Sequence, residues 1–595
     1  MTAHRRNCQS HFKNFLVSWQ SSAAGMDILA SDHPNHDFQG DEDESIYQTF
    51  LESLGKLICS SGTYLPDRRH DKISDGRKFL ERAGLTKEVL NSLSCIHVAG
   101  TKGKGSTCAL TERILRTCGY KTGLLTSPPL VEVRERIRVG GAALPRAKFA
   151  RYGIDFLKMI QTNTHINEKD PVFAREIGPY QLLVLLTFYI FLQEKVDVAV
   201  IEVGMGGEYD TTNVIWSPTV TGVTSLGIDH VNYLGHTIEE IAWHKSGIFK
   251  NGRPAFTVAQ DAGAMQVLVR RAAEKGVTLR VCLPIEHNDF RGNPLKVGLV
   301  GKHQLINATL AVQMAKAWIE EKDPGRFYFQ VPEHPVDPDS VTGLIDPTGE
   351  QQLTYGEVEK AMPFTLPSEF IRGSAFMCRD WFAEVAERDA EVMGGVVKRV
   401  LMFYLGGDRQ VHDIMAPFVE CNFDAVVICG SRSVSDKENE VRDFKQSPLK
   451  LPALLKKLTT LADAYRDLHK KMKSESTPPS NNGKIGIPII QVAPSATEAL
   501  QWAVGPLDDK YCPLNGGVMQ NQEISPFAER GVPQSADHLQ ILVTGSTYLV
   551  GSVLKVLDPT LATVIVNFRA AILTGTQSED SRKNNSPSPE EDLYD

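Results

Sequence analysis

The stretch Cys95-Ile-His-Val-Ala-Gly-Thr-Lys-Gly-Lys-Gly-Ser-Thr107 decides how this chain is read. A short β-branched run through Ile96 and Val98 feeds a loop holding Gly100, Gly103 and Gly105. An amphipathic helix opens near Ser106 and Thr107, with Cys108, Ala109, Leu110, Ile114 and Leu115 as its apolar set. Glycines let a backbone approach an oxyanion, a helix start presents unpaired N–H groups, and Lys102 and Lys104 add positive charge. Strand, loop and helix start together describe a polyphosphate cradle. Its spacing is not Gly-x-x-x-x-Gly-Lys-Ser/Thr, because Gly105 rather than a lysine precedes Ser106. Nor is it a dinucleotide fingerprint. Gly103-Lys-Gly105 is followed by Thr107 and Cys108, and the next strand ends in Thr126-Ser127 instead of an acidic residue.

At 595 residues the chain exceeds what one hydrophobic core supports, so two or three domains are expected. A charged content of 23% and a net charge of −8 leave no basic footprint for nucleic acid. The ten cysteines contain no C-x-x-C pair, which argues against a zinc framework and for reduced thiols in the cytoplasm or the mitochondrial matrix. The longest apolar run, Leu182 to Leu192, covers about three helical turns where a membrane span needs roughly 20 residues, so it reads as a buried helix. Residues 1–26 carry Arg5, Arg6 and Lys13 and no acidic residue, the pattern of a mitochondrial presequence with Met26 as an internal start, or of an untargeted tail. Asp41-Glu-Asp-Glu44 reads as a solvated acidic turn before the first helix.

From 46 to 93 the pattern is helical. Strand-like runs then alternate with helical stretches: Ile96–Ala99, Thr122–Thr126, Val196–Val203, Thr219–Thr224 and Ala255–Val258, with helices over 106–118, 146–161, 180–194, 237–249 and 262–275. Such alternation predicts an α/β fold with a parallel sheet covered by helices. Prolines from Pro324 to Pro367 separate a second alternating region, with strands at Arg399–Tyr404, Ala425–Cys429, Ile487–Val492 and Leu539–Val543. The predicted organisation is a disordered or targeting segment (1–44), a first α/β domain carrying the cradle (45–320), a Pro-rich linker (321–355), a smaller α/β domain (356–575) and a polar tail (576–595).

Ligands of open parallel sheets bind beyond the carboxyl ends of the strands. At such ends stand Ser127, Glu202 (followed by Gly204-Met-Gly-Gly207), and Asp229 with His230. A hydroxyl, a carboxylate and an imidazole beside a phosphate cradle suit Mg2+, which keeps waters and takes few protein ligands. Taken singly, His230 is more often a satisfied structural histidine than a ligand. Lys245, in Ala-Trp-His-Lys-Ser-Gly-Ile, is by default a surface lysine. Buried with a lowered pKa, it would instead react with CO2 to give a carbamate that positions a metal.

These blocks resemble folylpolyglutamate synthases, in the Mur-ligase superfamily, with the eukaryotic branch fitting best. The resemblance rests on His97-Val-Ala-Gly-Thr-Lys-Gly-Lys-Gly-Ser-Thr107, Thr126-Ser-Pro, Val133-Arg-Glu-Arg-Ile-Arg138 and Glu202-Val-Gly-Met-Gly-Gly-Glu-Tyr-Asp-Thr-Thr-Asn213. It continues through Gly227-Ile-Asp-His230, His244-Lys-Ser-Gly-Ile248, Gly301-Lys-His-Gln-Leu-Ile-Asn-Ala308 and Leu405-Gly-Gly-Asp-Arg409. It implies a Mur-type P-loop-like ATPase domain followed by the smaller Rossmann-like domain. It also implies a tetrahydrofolate:L-glutamate γ-ligase that forms an acyl phosphate from ATP and passes the acyl group to glutamate. By resemblance, Gly103, Lys104, Gly105 and Ser106 would bind ATP phosphates, and His303 and Asn307 lie in a segment at the nucleotide site. Ser127, Glu202 and His230 would hold Mg2+, Lys245 matches a lysine carbamylated in some relatives, and Lys104, Lys245 and His230 would serve catalysis. The implied partners are tetrahydrofolate polyglutamate and L-glutamate, with no nucleic acid, no transmembrane segment and a monomeric state.

The pattern departs from the family in the second half. No Trp-Pro-Gly-Arg segment occurs, and counting back from Cys378-Arg-Asp-Trp-Phe382 puts Pro367 and Phe370 where the family has the aspartate and histidine of Asp-Gly-Ala-His. A charge-assisted hydrogen bond contributes about 1.5–3 kcal/mol, so two losses amount to about a hundredfold or more in binding or rate. Three alternatives stay open beside the synthase itself: a divergent paralogue ligating an amino acid to another carboxylate, a non-catalytic nucleotide or folate binder, or a misspliced segment near 320–371.

Overall fold

The computed structural model describes residues 40–60, 71–162, 177–282, 303–324, 374–393, 396–405, 411–431, 451–475, 488–504 and 538–557. The presequence reading, the polar tail, the positions of Pro367 and Phe370 and nearly all of the proline-rich linker lie outside these residues.

Helices α1 (Gly40–Ser60), α2 (Asp71–Arg82) and α3 (Lys87–Ser92) lead into β1 (Cys95–Ala99), α4 (Lys104–Thr117) and β2 (Thr122–Leu125). Then come β3 (Ile137–Val139), β4 (Ala142–Ala143), α5 (Arg146–Thr162), α6 (Pro179–Gln193), β5 (Val198–Glu202) and β6 (Val220–Val223). The first unit closes with α7 (Val231–Leu234), α8 (Ile238–Lys245), β7 (Ala255–Val258), α9 (Ala262–Glu274), β8 (Leu279–Cys282) and α10 (His303–Lys322). The eight strands form one sheet in the order β4-β3-β2-β5-β1-β6-β7-β8. All neighbours from β2 to β8 are parallel, and β3 and β4 add an antiparallel edge.

Strands β1 and β5 are buried along their whole length, as expected of parallel strands covered on both faces. Side chains alternate between the two faces. Cys95, Ala199 and Ile201 join the apolar cluster under α1, α5 and α6, while Ile96, Val198 and Val200 join the one under α4 and α10. The apolar run in α6 is a buried helix, and among the described residues no helix is long and apolar enough to cross a membrane. On the other side, the α10 residue Trp318 is buried and donates from its indole N–H to Ser94 Oγ at 2.8 Å.

Two readings need correction. Asp41–Glu44 is not a free acidic turn but part of α1, where Glu44 accepts from Arg146 Nη1 at 2.9 Å and Asp43 from Arg151 Nη2 at 3.1 Å. The helix expected over 237–249 stops at Lys245 and tightens into a 3-10 turn at Ser246–Ile248.

The second unit contains α11 (Ser374–Met393), β9 (Val397–Phe403), α12 (Val411–Val419), β10 (Ala425–Cys429), α13 (Leu451–Glu475), β11 (Ile489–Ala493), α14 (Ala496–Val504), β12 (His538–Thr544) and α15 (Thr547–Leu557). Its four strands are parallel in the order β11-β10-β9-β12. Val400–Phe403 and Val426–Cys429 are completely buried at its centre, packed with Leu458, Leu461 and Tyr465 of α13.

Candidate functional site

Chain direction makes the crevice. From β1 the connection runs left to β2, whereas from β6 it runs right to β7, so the chain leaves two adjacent strands in opposite directions. Such a switch point is where open α/β sheets take ligands. The register sets the carboxyl ends side by side, with Val98 opposite Glu202 and Gly222, and Leu125 opposite Ile201.

The loop after β1 is stitched to the loop after β6. The N–H groups of Thr101 and Lys102 donate to Ser225 O at 3.0 and 3.1 Å, and Thr224 Oγ1 donates to Lys102 O at 2.7 Å. Gly103 caps α4 in the left-handed conformation, φ 83°, and a methyl group there would come within 2.2 Å of Asn307 Oδ1. No side chain caps the first N–H groups of α4, the position where a helix start offers them to an anion. Lys104 is the first residue of α4 and donates to Thr101 O at 3.4 Å, and Ser106 is half-buried in the same turn.

Helix α10 packs along α4 and brings the distant segment in. Thr107 Oγ1 lies 3.5 Å from Asn307 Oδ1, Asn307 Nδ2 donates to Gln304 Oε1 at 2.9 Å, and Gln304 Nε2 meets His303 Nε2 at 3.1 Å. Asn307 therefore stands against the glycine loop, while His303 reaches it through Gln304. Burial lowers the His303 imidazole below its usual range.

Glu202 is 4% exposed and accepts from Ser127 N–H at 2.8 Å. A methyl group on Gly105 would lie 3.4 Å from its Oε2, so α4, β2 and β5 converge on this carboxylate. His230 heads α7 in a left-handed conformation, φ 56°, with its N–H on Asp229 Oδ1 at 3.0 Å. Asp229 in turn pairs with Lys102 at 2.9 Å, which ties His230 to the cradle.

Lys245 is not the surface lysine of the default reading. It is 4% exposed and donates to Gly100 O at 2.7 Å. Burial holds its ammonium well below the usual lysine range; Lys104 and Lys102 lower it further, against the opposing pull of Asp229 and Asp210.

Behind the crevice lies a network that sequence reasoning missed. His97 is fully buried, and burial, with a smaller push from Lys250, drops its pKa to about 3. Its Nε2 is 2.9 Å from Thr212 Oγ1, which lies 2.6 Å from Asp210 Oδ1. The carboxylate only accepts, so Thr212 donates to it and His97 donates its Nε2 proton to Thr212. Asp210 also accepts from the N–H of Met205 at 3.0 Å and of Thr212 at 3.0 Å, which shapes the glycine turn directly after Glu202. The signal in the sequence was a histidine inside a strand buried on both faces, where a polar ring must find a partner.

No metal cluster of three or more His, Cys, Asp or Glu side chains forms among the described residues. The residues that do meet, a buried carboxylate beside the Ser127 segment at an anion cradle, form a sparse oxygen set. That chemistry fits Mg2+, whose remaining positions are filled by water and phosphate.

The Mur ligase middle domain family model matches residues 156–291. The mitochondrial folylpolyglutamate synthase of Bos taurus is 36% identical over 516 residues, covering 81% of this chain and 86% of its own length. The chain belongs to the folylpolyglutamate synthase family. The human mitochondrial member is likewise 36% identical, over 87% of this chain and 92% of its own. A synthase of Arabidopsis thaliana is 44% identical over 280 residues, 46% of this chain and 43% of its own. Among solved structures, the Mycobacterium tuberculosis folylpolyglutamate synthase complexed with ADP superposes with a TM-score of 0.54 at 20% identity, over 86% of this chain and 99% of that one. That likeness establishes the Mur-ligase-type two-domain fold of the synthase family for this chain.

Proposed function

We infer that this member of the folylpolyglutamate synthase family joins L-glutamate to reduced folates in an ATP-dependent ligation, as its family does. The observation that carries the reading is the uncapped start of α4, with Lys102 and Lys104 on its loop and the buried Glu202 carboxylate at its mouth. In the proposed sequence a folate carboxylate oxygen attacks the γ-phosphorus of ATP and ADP leaves. The glutamate α-amine then attacks the acyl carbon, phosphate leaves, and the amine gives up a proton. The N–H groups of Gly105 and Ser106, with Lys104, would hold the phosphates where charge develops. Asn307 would brace the glycine loop from behind.

Ser127, Glu202 and His230 would hold Mg2+, which when bound supplies charge neutralisation at the phosphoryl oxygens. Lys245, its ammonium destabilised by burial where it donates to Gly100 O, would react as the free amine with CO2, its nitrogen bonding to carbon with loss of one proton. A 13C resonance of a carbamate in 13CO2-equilibrated protein, lost in Lys245→Met, checks this step. The bovine and human relatives are named mitochondrial, and we place this chain in mitochondria on that support and on the composition of residues 1–26. A fluorescent fusion to residues 1–26 that stays in the cytosol would remove the second support.

The deciding experiment is ADP release by the full chain with MgATP and glutamate, with and without tetrahydrofolate, and with Lys104→Ala as the control. Folate-dependent release that the substitution abolishes is the expected result. Release with another carboxylate acceptor alone would favour the divergent ligase to which Pro367 and Phe370 point. Nucleotide binding with no release under any acceptor would leave a binder.

A further inference from the structure

The segment from Ser127 to Arg136 joins β2 to β3, and Thr126 N–H donates to Arg136 O at 2.9 Å, closing it at the base. Inside that loop the Glu135 carboxylate is 3% exposed and accepts three consecutive backbone N–H groups: Leu130 at 3.0 Å, Val131 at 3.0 Å and Glu132 at 2.8 Å. A carboxylate that gathers three amides in a row fixes the turn more tightly than its own packing would. Two residues before that turn's prolines end stands Ser127, whose N–H is on Glu202.

The outer side of the same turn carries the second unit. Leu130 and Val131 pack on Val550 and Leu554 of α15, a small apolar cluster shared by the two domains. The approach is close enough that a methyl group on Gly551 would come within 1.8 Å of the Leu130 carbonyl oxygen. One turn therefore has Ser127 and Glu202 at its inner end and the second domain on its outer face.

We propose that Glu135 is a positioning residue: by holding the amides of residues 130–132 it makes the seat for α15 and the placement of Ser127 a single rigid unit. Gly551 is the complementary notch, the position on α15 that lets the helix settle on the Leu130 carbonyl. Seating of the second domain and readiness of the Ser127–Glu202 end then rise and fall together. The inference rests on the ligase reading of the site.

The test uses the full chain and compares Glu135→Gln, Gly551→Ala and the double variant. Each single substitution is expected to lower kcat about tenfold, the scale of a small misplacement of reacting groups. Each is also expected to weaken Mn2+ binding, measured by electron paramagnetic resonance with a non-hydrolysable ATP analogue, and to enlarge the radius of gyration in solution scattering. Because both act through one turn, the double variant loses less than the product of the single losses. Gly551→Ala lies in the second domain, so unchanged Mn2+ binding in that variant overturns the proposal, as do losses that multiply. If Glu135→Gln fails to fold, the Gly551→Ala measurements decide alone. Failure of the unaltered chain to release ADP with tetrahydrofolate sinks the ligase reading, whereas full activity of both variants beside an active parent sinks only this inference.

Discussion

The two sheets of this molecule treat polar groups in opposite ways. In the first, β1 and β5 are buried end to end yet carry His97 and Glu202, each tied to partners: His97 to Thr212, Glu202 to the Ser127 amide. In the second, the matching central stretches Val400–Phe403 and Val426–Cys429 are wholly apolar. The buried Gln540 on β12 is the second sheet's satisfied exception, donating to Ala386 O at 3.0 Å. The first sheet gives up apolar contact along β1 and at the end of β5 to hold partnered polar groups, while the second is an apolar scaffold that presents α15.

The contrast is broken or sharpened by substitutions on either side. Phe403→Ala removes a fully buried ring from the second core and should destabilise that domain by about 3–5 kcal/mol. Calorimetry should show one unfolding transition moving further than the other, while at temperatures where the second domain stays folded and seated the binding of an ATP analogue holds within about twofold; equal shifts of both transitions would break the comparison. Glu202→Gln keeps the shape but removes the charge at the cradle, and kcat/KM should fall about 10²–10³-fold, with the melting transitions shifted little.

His97 gives a smaller effect that depends on pH. Its folded pKa of about 3 lies below the ordinary 6.5, so protonation opposes folding. Its contribution to stability is complete above pH 6.5 and is lost as the pH falls towards 3, at about 1.4 kcal/mol per pH unit. His97→Gln, which keeps a donor for Thr212, should flatten the fall in the first domain's denaturation midpoint between pH 6.5 and 5. An unchanged slope would show that other groups govern it. The smallest effect is expected at Thr237, whose side chain accepts from Glu240 N–H at 3.2 Å in a capping box at the start of α8. Thr237→Ala should cost about 1 kcal/mol in chemical denaturation, with little effect on kcat if α8 holds Lys245 by packing rather than by its cap.

Much of the first domain was legible because its strands are short β-branched runs bounded by glycine and polar residues. β1, β2, β5, β6 and β7 fall within or close to the runs expected from Ile96, Thr122, Val196, Thr219 and Ala255. The edge strands β3 and β4 were not legible. They are three and two residues long, and the first carries Arg138, which is buried because its guanidinium donates to Glu135 O at 3.1 Å. The acidic run at Asp41–Glu44 misled for a related reason, since its partners Arg146 and Arg151 lie about a hundred residues away. At the site, the glycine loop and Glu202 announced themselves by local chemistry. Burial of Lys245 depends on Gly100 O, brought to it across the sheet, and no local pattern encodes that.

The strand order also fixes the timetable of synthesis. β1 is made early, yet its sheet neighbours are β5 and β6, with Ile96 pairing to Val200 on one side and Val220 on the other. The next strand made, β2, does not lie beside it but beyond β5. At about 5–20 residues per second on the ribosome, the apolar strand that launches the glycine loop waits roughly 6–25 s before its second neighbour exists. β2 gains β3 as a partner soon after it is made, whereas β1 has no sheet neighbour until β5 and is closed on its second side only by β6, so the nucleotide cannot assist early folding. The strand behind the cradle is thus among the first made and among the last of the sheet's centre to be enclosed, and ATP becomes a stabilising ligand only once that centre has closed.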